Sequence, residues 1–226
     1  MLKIGITGSI GAGKSFVGNL LRARNFQVLD ADCKVHELYR DSAGLRAEMA
    51  SYFGEECLTP AGVNSALIAD RVFADANARV KLEQIVYPYL NRAVAEFFAG
   101  DVLRSSNGKT AQLTGAADSS NGNAAGASCE NVSDKCRFVE AALFSRAPEL
   151  VKMLDEIWIV DAPESTRLER LVHRGLSEND AKRRIENQRG ACAPELFPGK
   201  RIRTIMNDGD RFRLERQLDA LLDNLD

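Results

Sequence analysis

The segment Lys3-Ile4-Gly5-Ile6-Thr7-Gly8-Ser9-Ile10-Gly11-Ala12-Gly13-Lys14-Ser15 constrains this chain more than any other. From Gly8 to Ser15 it fits G-x-x-x-x-G-K-[ST], the pattern of a phosphate-binding loop. Gly8, Gly11 and Gly13 let the backbone take conformations that a side chain would block, so successive N–H groups can turn into one concavity. That concavity opens a helix, whose N-terminal partial positive charge favours an anion. In such a loop Lys14 reaches the β- and γ-phosphates and the Ser15 hydroxyl holds Mg²⁺.

The flanks supply the context the pattern needs. Leu2, Ile4 and Ile6 precede it in a short run that reads as a buried strand. Phe16, Val17, Leu20 and Leu21 follow at helical spacing, with Arg22 and Arg24 near the helix end. Strand, glycine loop and helix is the required order; a glycine-rich turn without ligand is the alternative. A dinucleotide-binding fingerprint needs G-x-G-x-x-G, and the glycines here are spaced differently.

Composition narrows the class. The 226 residues accommodate one α/β domain with excursions, or two small ones. A formal net charge of −2 argues against a general nucleic-acid binder, so phosphate recognition has to be local. No apolar stretch is long enough to span a bilayer, and the N-terminus is already the first strand. Neither a membrane partner nor a signal peptide is expected, and the predicted location is cytoplasmic. Cys33, Cys57, Cys129, Cys136 and Cys192 include no C-x-x-C pair, and His36 and His173 give no zinc-site spacing. Reduced, incidental thiols are the expectation; a Cys129–Cys136 redox pair is the alternative.

Farther along, Phe26-Gln27-Val28-Leu29 reads as a second strand ending in Asp30-Ala31-Asp32. Ligands of open α/β sheets bind beyond the carboxyl ends of strands, which is where this acidic pair falls. Either aspartate can instead cap the helix through Val35 and Leu38. Residues 33–99 read as mostly helical. Leu45, Met49, Tyr52 and Phe53 form one stripe before Gly54, and a turn at 59–62 follows. Leu67, Ile68, Arg71, Val72 and Phe73 mark the next helix. A last one carries Val80, Leu82, Ile85 and Val86 and is bent or restarted at Pro88. In nucleotide-type kinases such an excursion grips the phosphate acceptor. Residues 100–136 are small and polar and are predicted to be a disordered insertion.

Order returns at Arg137 to Phe144, a strand in which Glu140 is an acid inside an apolar run. That costs free energy unless the acid is paired or near a metal. A short helix and a buried strand from Ile157 to Asp161 follow, Asp161 being either a metal-directed acid or a helix-start residue. Arg167, Arg170 and Arg174 then share one helix face, and Ser177-Glu178-Asn179-Asp180 starts a second helix carrying Arg183 and Arg184. Hinged at Gly175, the two helices of 165–190 read as a lid that brings cations to phosphates as it closes. A last strand and turn run from Arg201 to Gly209, before an amphipathic helix through Phe212, Leu214, Leu218, Leu221 and Leu222.

Taken in order, these residues resemble the dephospho-CoA kinase family over nearly the whole length, the insertion excepted. Residues 6–15 are similar to the family's opening, Asp30-Ala31-Asp32 to its D-A-D signature, and Leu82-Glu83-Gln84-Ile85-Val86-Tyr87-Pro88 to its L-E-x-I-x-H-P element. Val139 to Phe144 resembles its leucine-pair strand, Arg184-Ile185-Glu186-Asn187-Gln188 its R-I-x-x-Q lid, and Ile205 to Gly209 its I-x-N-x-G turn. The chain departs from the pattern at Phe16, where Thr is usual, at Tyr87 in place of His, and at Ser65 in place of Arg. Ser145-Arg146 replaces an acidic end.

The resemblance implies an α/β P-loop kinase fold in a single domain spanning 1–226. A parallel five-stranded sheet is flanked by helices, with a helical acceptor-binding region over 33–99 and a helical lid. It implies transfer of the ATP γ-phosphoryl group to the ribose 3′-hydroxyl of dephospho-CoA. Gly8, Gly11, Ala12, Gly13, Lys14, Ser15, Phe16 and Asn207 would bind ATP, with Arg170 and Arg184 from the lid. Ser15 would hold Mg²⁺. Lys14 and Asp32, the latter reached from the next strand, would be catalytic. The expected state is a monomer or small homo-oligomer. Another small-molecule or nucleoside monophosphate kinase stays open as an alternative. So does a nucleotide-binding switch, although a GTPase would need an N-K-x-D element, which the sequence lacks.

Overall fold

The glycine motif divides strand from helix as its pattern demands. In the computed structural model, which describes residues 1–100 and 135–225, β1 (Leu2–Gly8) runs into the loop and α1 (Lys14–Ala23) leaves it. Then come β2 (Gln27–Asp30), α2 (Ala31–Asp41) and α3 (Ala43–Phe53). A small hairpin of β3 (Leu58–Thr59) and β4 (Gly62–Val63) leads to α4 (Ser65–Ala74) and α5 (Ala76–Ala99). The second half holds β5 (Cys136–Glu140), α6 (Pro148–Lys152), β6 (Glu156–Asp161), α7 (Glu164–His173), α8 (Glu178–Asn187), β7 (Arg201–Met206) and α9 (Arg211–Asp223).

Five strands form one parallel sheet in the order β2-β5-β1-β6-β7. Their apolar runs are continuous because helices cover both faces. On one face α1 and α9 pack Val17, Leu21, Leu214 and Leu218 over Ile4, Ile6, Phe138 and Trp158. On the other, α5 and α6 lay Val94, Phe97 and Leu150 over Val139 and Ile157. Each such side chain contributes about 1.5–3 kcal/mol through burial. The helical excursion closes a third cluster of its own around Leu45, Met49, Phe53, Ile68 and Ile85. The α7–α8 hairpin has a small fourth one, Leu171, Ala181 and Ile185.

Strand order corrects one expectation. β2 follows β1 in sequence but not in space, because β5 lies between them and pairs with both. In register, Glu140 faces Ile6 on one side and Asp30 on the other. Asp32 is therefore two strands away from the loop, and Glu140 stands in the gap.

Smaller differences have local causes. β5 stops at Glu140 rather than running to Phe144, since its neighbour β2 ends at Asp30 opposite that residue. α5 continues through Pro88: packing of Ile85, Val86 and Leu90 holds the helix despite the missing i→i−4 bond. Phe73 and Phe212, assigned to apolar helix faces, are 89% and 68% exposed, and Val80 is exposed as well. Of the predicted insertion, residues 101–134 lie outside the described residues, as does Cys129 of the redox-pair alternative. Gly100 caps α5 and Cys136 is a buried residue of β5, so neither belongs to an insertion.

Candidate active site

The loop is held open from outside. Gly13 caps α1 at φ 95°, a left-handed conformation, and a Cβ there would lie 2.2 Å from Asn207 Nδ2. That amide donates to the Ala12 carbonyl at 2.8 Å. The Arg170 guanidinium donates to the Gly11 and Ala12 carbonyls at 3.2 Å each, and to Asn207 O and Oδ1 at 3.1 Å. Across a planar trans peptide the N–H points opposite to the C=O. With the Ala12 carbonyl drawn outward, the Gly13 N–H is turned into the loop. At the other end, a Cβ on Gly8 would come within 2.1 Å of the Val160 carbonyl oxygen, so only glycine lets β1 end this close to β6. The Ile10 N–H donates to Gln188 Oε1 at 2.9 Å, which ties the loop to the end of α8.

Lys14 lies inside this cradle and donates from Nζ to the Gly8 carbonyl at 2.9 Å. Burial pulls its pKa down from the usual lysine value, against the opposing influence of Cys192, Glu140 and Asp32. Ser15 Oγ donates to Glu140 Oε1 at 2.7 Å. Glu140 is only 4% exposed, and its Oε2 has no hydrogen-bond partner among the described residues. Burial pushes its carboxyl above the usual glutamate range, although the Ser15 hydrogen bond opposes the shift. Gly18, one turn along α1, leaves the space Glu140 occupies, since a Cβ there would fall 2.8 Å from Oε2.

The two aspartates after β2 divide the roles left open by the sequence. Asp30 is the N-cap of α2, accepting from the Cys33 N–H at 2.9 Å. Asp32 sits in the first turn, and its carboxyl is raised by partial desolvation and by Asp30, while Lys14 and His36 pull the other way. Asp161 turns out to be structural: Oδ1 accepts from the Ala162 N–H and its carbonyl from the Asn207 N–H.

Two cavities flank the loop. One of about 590 Å³ is lined by Gly13, Phe16, Arg170, His173, Arg174 and Asn207. It gathers Phe16, Arg170 and Asn207 of the expected nucleotide-binding set. The other, of about 1020 Å³, lies between α4–α5 and α8, with Arg79, Glu83, Arg146, Arg183, Arg184 and Gln188 on its walls. Arg184 faces this second cavity and not the first. Sequence reasoning missed three contributors. Glu140 was visible as an acid in an apolar run, Gln188 only as part of the lid pattern, and Arg146 only as a departure from it.

Comparison with known proteins extends this picture. The family model described as CoaE, dephospho-CoA kinase, matches residues 2–102. A curated relative from Corynebacterium efficiens named dephospho-CoA kinase is 30% identical over 225 residues, covering 98% of this chain and 96% of its own length. One of the same name from Methylococcus capsulatus is 30% identical over 227 residues, covering 98% and 95%. Among solved structures, TT1252 from Thermus thermophilus superposes with a TM-score of 0.68 at 26% identity over 100% of this chain and 98% of that one. Dephospho-CoA kinase from Campylobacter jejuni shares the fold at a TM-score of 0.60 and 18% identity, over 98% and 95%.

Proposed function

Because the chain belongs to the dephospho-CoA kinase family, a family of ATP-using transferases, we propose that the loop and Asp32 together carry out its phosphoryl transfer to the ribose 3′-hydroxyl of dephospho-CoA. The single observation that carries the assignment of roles is the loop itself: Lys14 Nζ lies within a cradle whose carbonyls Arg170 and Asn207 hold, while Asp30 and not Asp32 caps α2.

Phosphoryl transfer needs positioning and charge neutralisation more than covalent chemistry. The loop from Gly8 to Ser15, shaped by Arg170 and Asn207, cradles the ATP phosphates, and Phe16 and Asn207 border the space for the nucleoside. Lys14 leaves the Gly8 carbonyl for the β- and γ-phosphate oxygens. Asp32 orients the acceptor hydroxyl and takes its proton; a carboxylate with a raised pKa is a stronger base for that step.

The donors present fit Mg²⁺. Ser15 Oγ and the Glu140 carboxylate, with its unpartnered buried oxygen, form an all-oxygen pair at the mouth of α1. Mg²⁺ is commonly bound through one or two carboxylates together with substrate phosphates, so few protein ligands are needed here. Ser15 and Glu140 would hold it, and it would supply charge neutralisation at the phosphates. Because the Ser15 hydroxyl donates its hydrogen bond to Glu140, its lone pairs are free to ligate.

Residues 33–99 form the acceptor side and the α7–α8 hairpin the lid, within one kinase domain. No described helix is long and apolar enough to cross a membrane. Free thiols at Cys33, Cys57, Cys136 and Cys192 suit a reducing, cytoplasmic setting, and the proposed state is a monomer or small homo-oligomer. The test is ADP release from ATP-Mg²⁺ with dephospho-CoA, AMP, CMP or shikimate as acceptor. Turnover with dephospho-CoA alone is expected; preference for another acceptor, or equal turnover without one, would reject the reading.

A further inference from the structure

The larger cavity carries a charge pattern that the transfer chemistry does not use. Most arginines on this protein have a carboxylate or a carbonyl: Arg24 holds Asp219, Arg71 holds Glu56, Arg189 holds Glu186 and Arg213 holds Asp208. Arg183, at the rim of the cavity, is neutralised by Asp180. The side chains of Arg79, Arg146 and Arg184 have no ion pair or hydrogen bond among the described residues, and all three residues line this one cavity. They come from separate elements, Arg79 from α5, Arg146 from the turn after β5, and Arg184 from α8. Among the described residues Glu83 is the single carboxylate on the same walls. Guanidinium groups gathered in a concave space repel one another and focus a positive potential, which a polyanion relieves. Three planar forks supplied by three elements to one cavity suit a group with several anionic oxygens, and a bridging diphosphate has them.

We propose that Arg79, Arg146 and Arg184 form a diphosphate subsite that seats the acceptor by the 5′-diphosphate of its nucleotide, distinct from the loop that seats ATP. The inference rests on the kinase reading and deepens it. The diphosphate and the reacting 3′-hydroxyl belong to the same ribose, so fixing one restricts where the other lies. Arg184 thereby moves from the ATP set to the acceptor set. Arg146, which stands where the family pattern is acidic, becomes a specificity-determining residue.

The experiment uses the full chain with Arg79→Ala, Arg146→Ala and Arg146→Lys. Dephospho-CoA and adenosine binding are measured by calorimetry, KM is measured for both substrates, and inorganic pyrophosphate is titrated as a competitor. Each alanine variant is expected to raise Kd and KM for dephospho-CoA about tenfold or more, since each loses a charge-assisted hydrogen bond. KM for ATP and the affinity for adenosine are expected to stay within about twofold of wild type. Arg146→Lys recovers part of the loss, because the charge remains and the fork does not. Pyrophosphate displaces dephospho-CoA from wild type and fails to bind the Arg79→Ala/Arg146→Ala double variant. Unchanged dephospho-CoA affinity in both alanine variants, or an equal loss for adenosine, overturns the subsite. Absence of phosphorylation of dephospho-CoA by wild type would reject the functional reading instead, while pyrophosphate binding that depends on Arg146 would still uphold the subsite.

Discussion

Ser15 and Glu140 meet at 2.7 Å, the hydroxyl of the first helix donating to a carboxylate buried at the end of β5. One oxygen of that carboxylate is satisfied and the other has no partner among the described residues. An arrangement of this kind costs stability in the empty protein and is retained where a ligand completes it.

Glu140→Gln should therefore stabilise the protein in a pH-dependent way. Folded Glu140 holds its proton more tightly than the unfolded chain does, because burial raises its pKa. The destabilisation it causes grows as pH rises from the ordinary glutamate range through the raised value, and is absent below that range. Thermal melts in EDTA should show Glu140→Gln ahead of wild type at neutral pH, by about 2–4 °C per kcal/mol relieved, and level with it near pH ~4. The same variant should need more Mg²⁺ for half-maximal activity. A stability gain of equal size at both pH values would contradict the account.

Asp32→Asn keeps the size of the side chain and leaves the Asp30 cap of α2 in place. ATP affinity should be nearly unchanged, while kcat for dephospho-CoA falls by about 10²–10⁴-fold. Equilibrium nucleotide binding alongside initial rates separates the two effects, and an undiminished kcat would remove Asp32 from the chemistry.

Gly13→Ala places a methyl group on the Asn207 amide in a backbone conformation that L-residues avoid. The strain alone is about 1–2 kcal/mol, so a loss in Tm of at least about 2–4 °C is expected. Nucleotide affinity should fall with it, because Asn207 can no longer hold the Ala12 carbonyl. A variant that melts and binds like wild type would show that the loop is not shaped by this contact.

Arg170→Ala removes every donor that α7 offers to the Gly11 and Ala12 carbonyls. The cost should appear as kcat/KM for ATP lower by about 10²–10³-fold, with KM for dephospho-CoA little changed. A loss confined to the acceptor would place Arg170 on the wrong side of the site.

Much of this could be read from the chain itself, and the reasons differ by residue. The loop is legible because Gly8, Gly13, Lys14 and Ser15 meet steric and electrostatic demands that few other residues satisfy. The strands are legible because sheets covered on both faces need unbroken apolar runs, as from Ile157 to Val160. Phe73 and Phe212 were misplaced because helical periodicity identifies a face but not whether anything packs against it. Glu140 could be flagged as an anomaly but not paired with Ser15, since that contact joins residues far apart in sequence through the strand order. The same holds for Arg79, Arg146 and Arg184, whose convergence exists only in three dimensions.

The placement of β5 between β1 and β2 also sets a timetable. During synthesis the glycine loop and the aspartates emerge early, yet the strand that must lie between them arrives about a hundred residues later. A nascent chain halted before Glu140 holds most of the nucleotide-handling residues and lacks the wedge that spaces them. The site is therefore complete only after β5 has taken its place between β1 and β2 and the still later Arg170 and Asn207 have reached the loop.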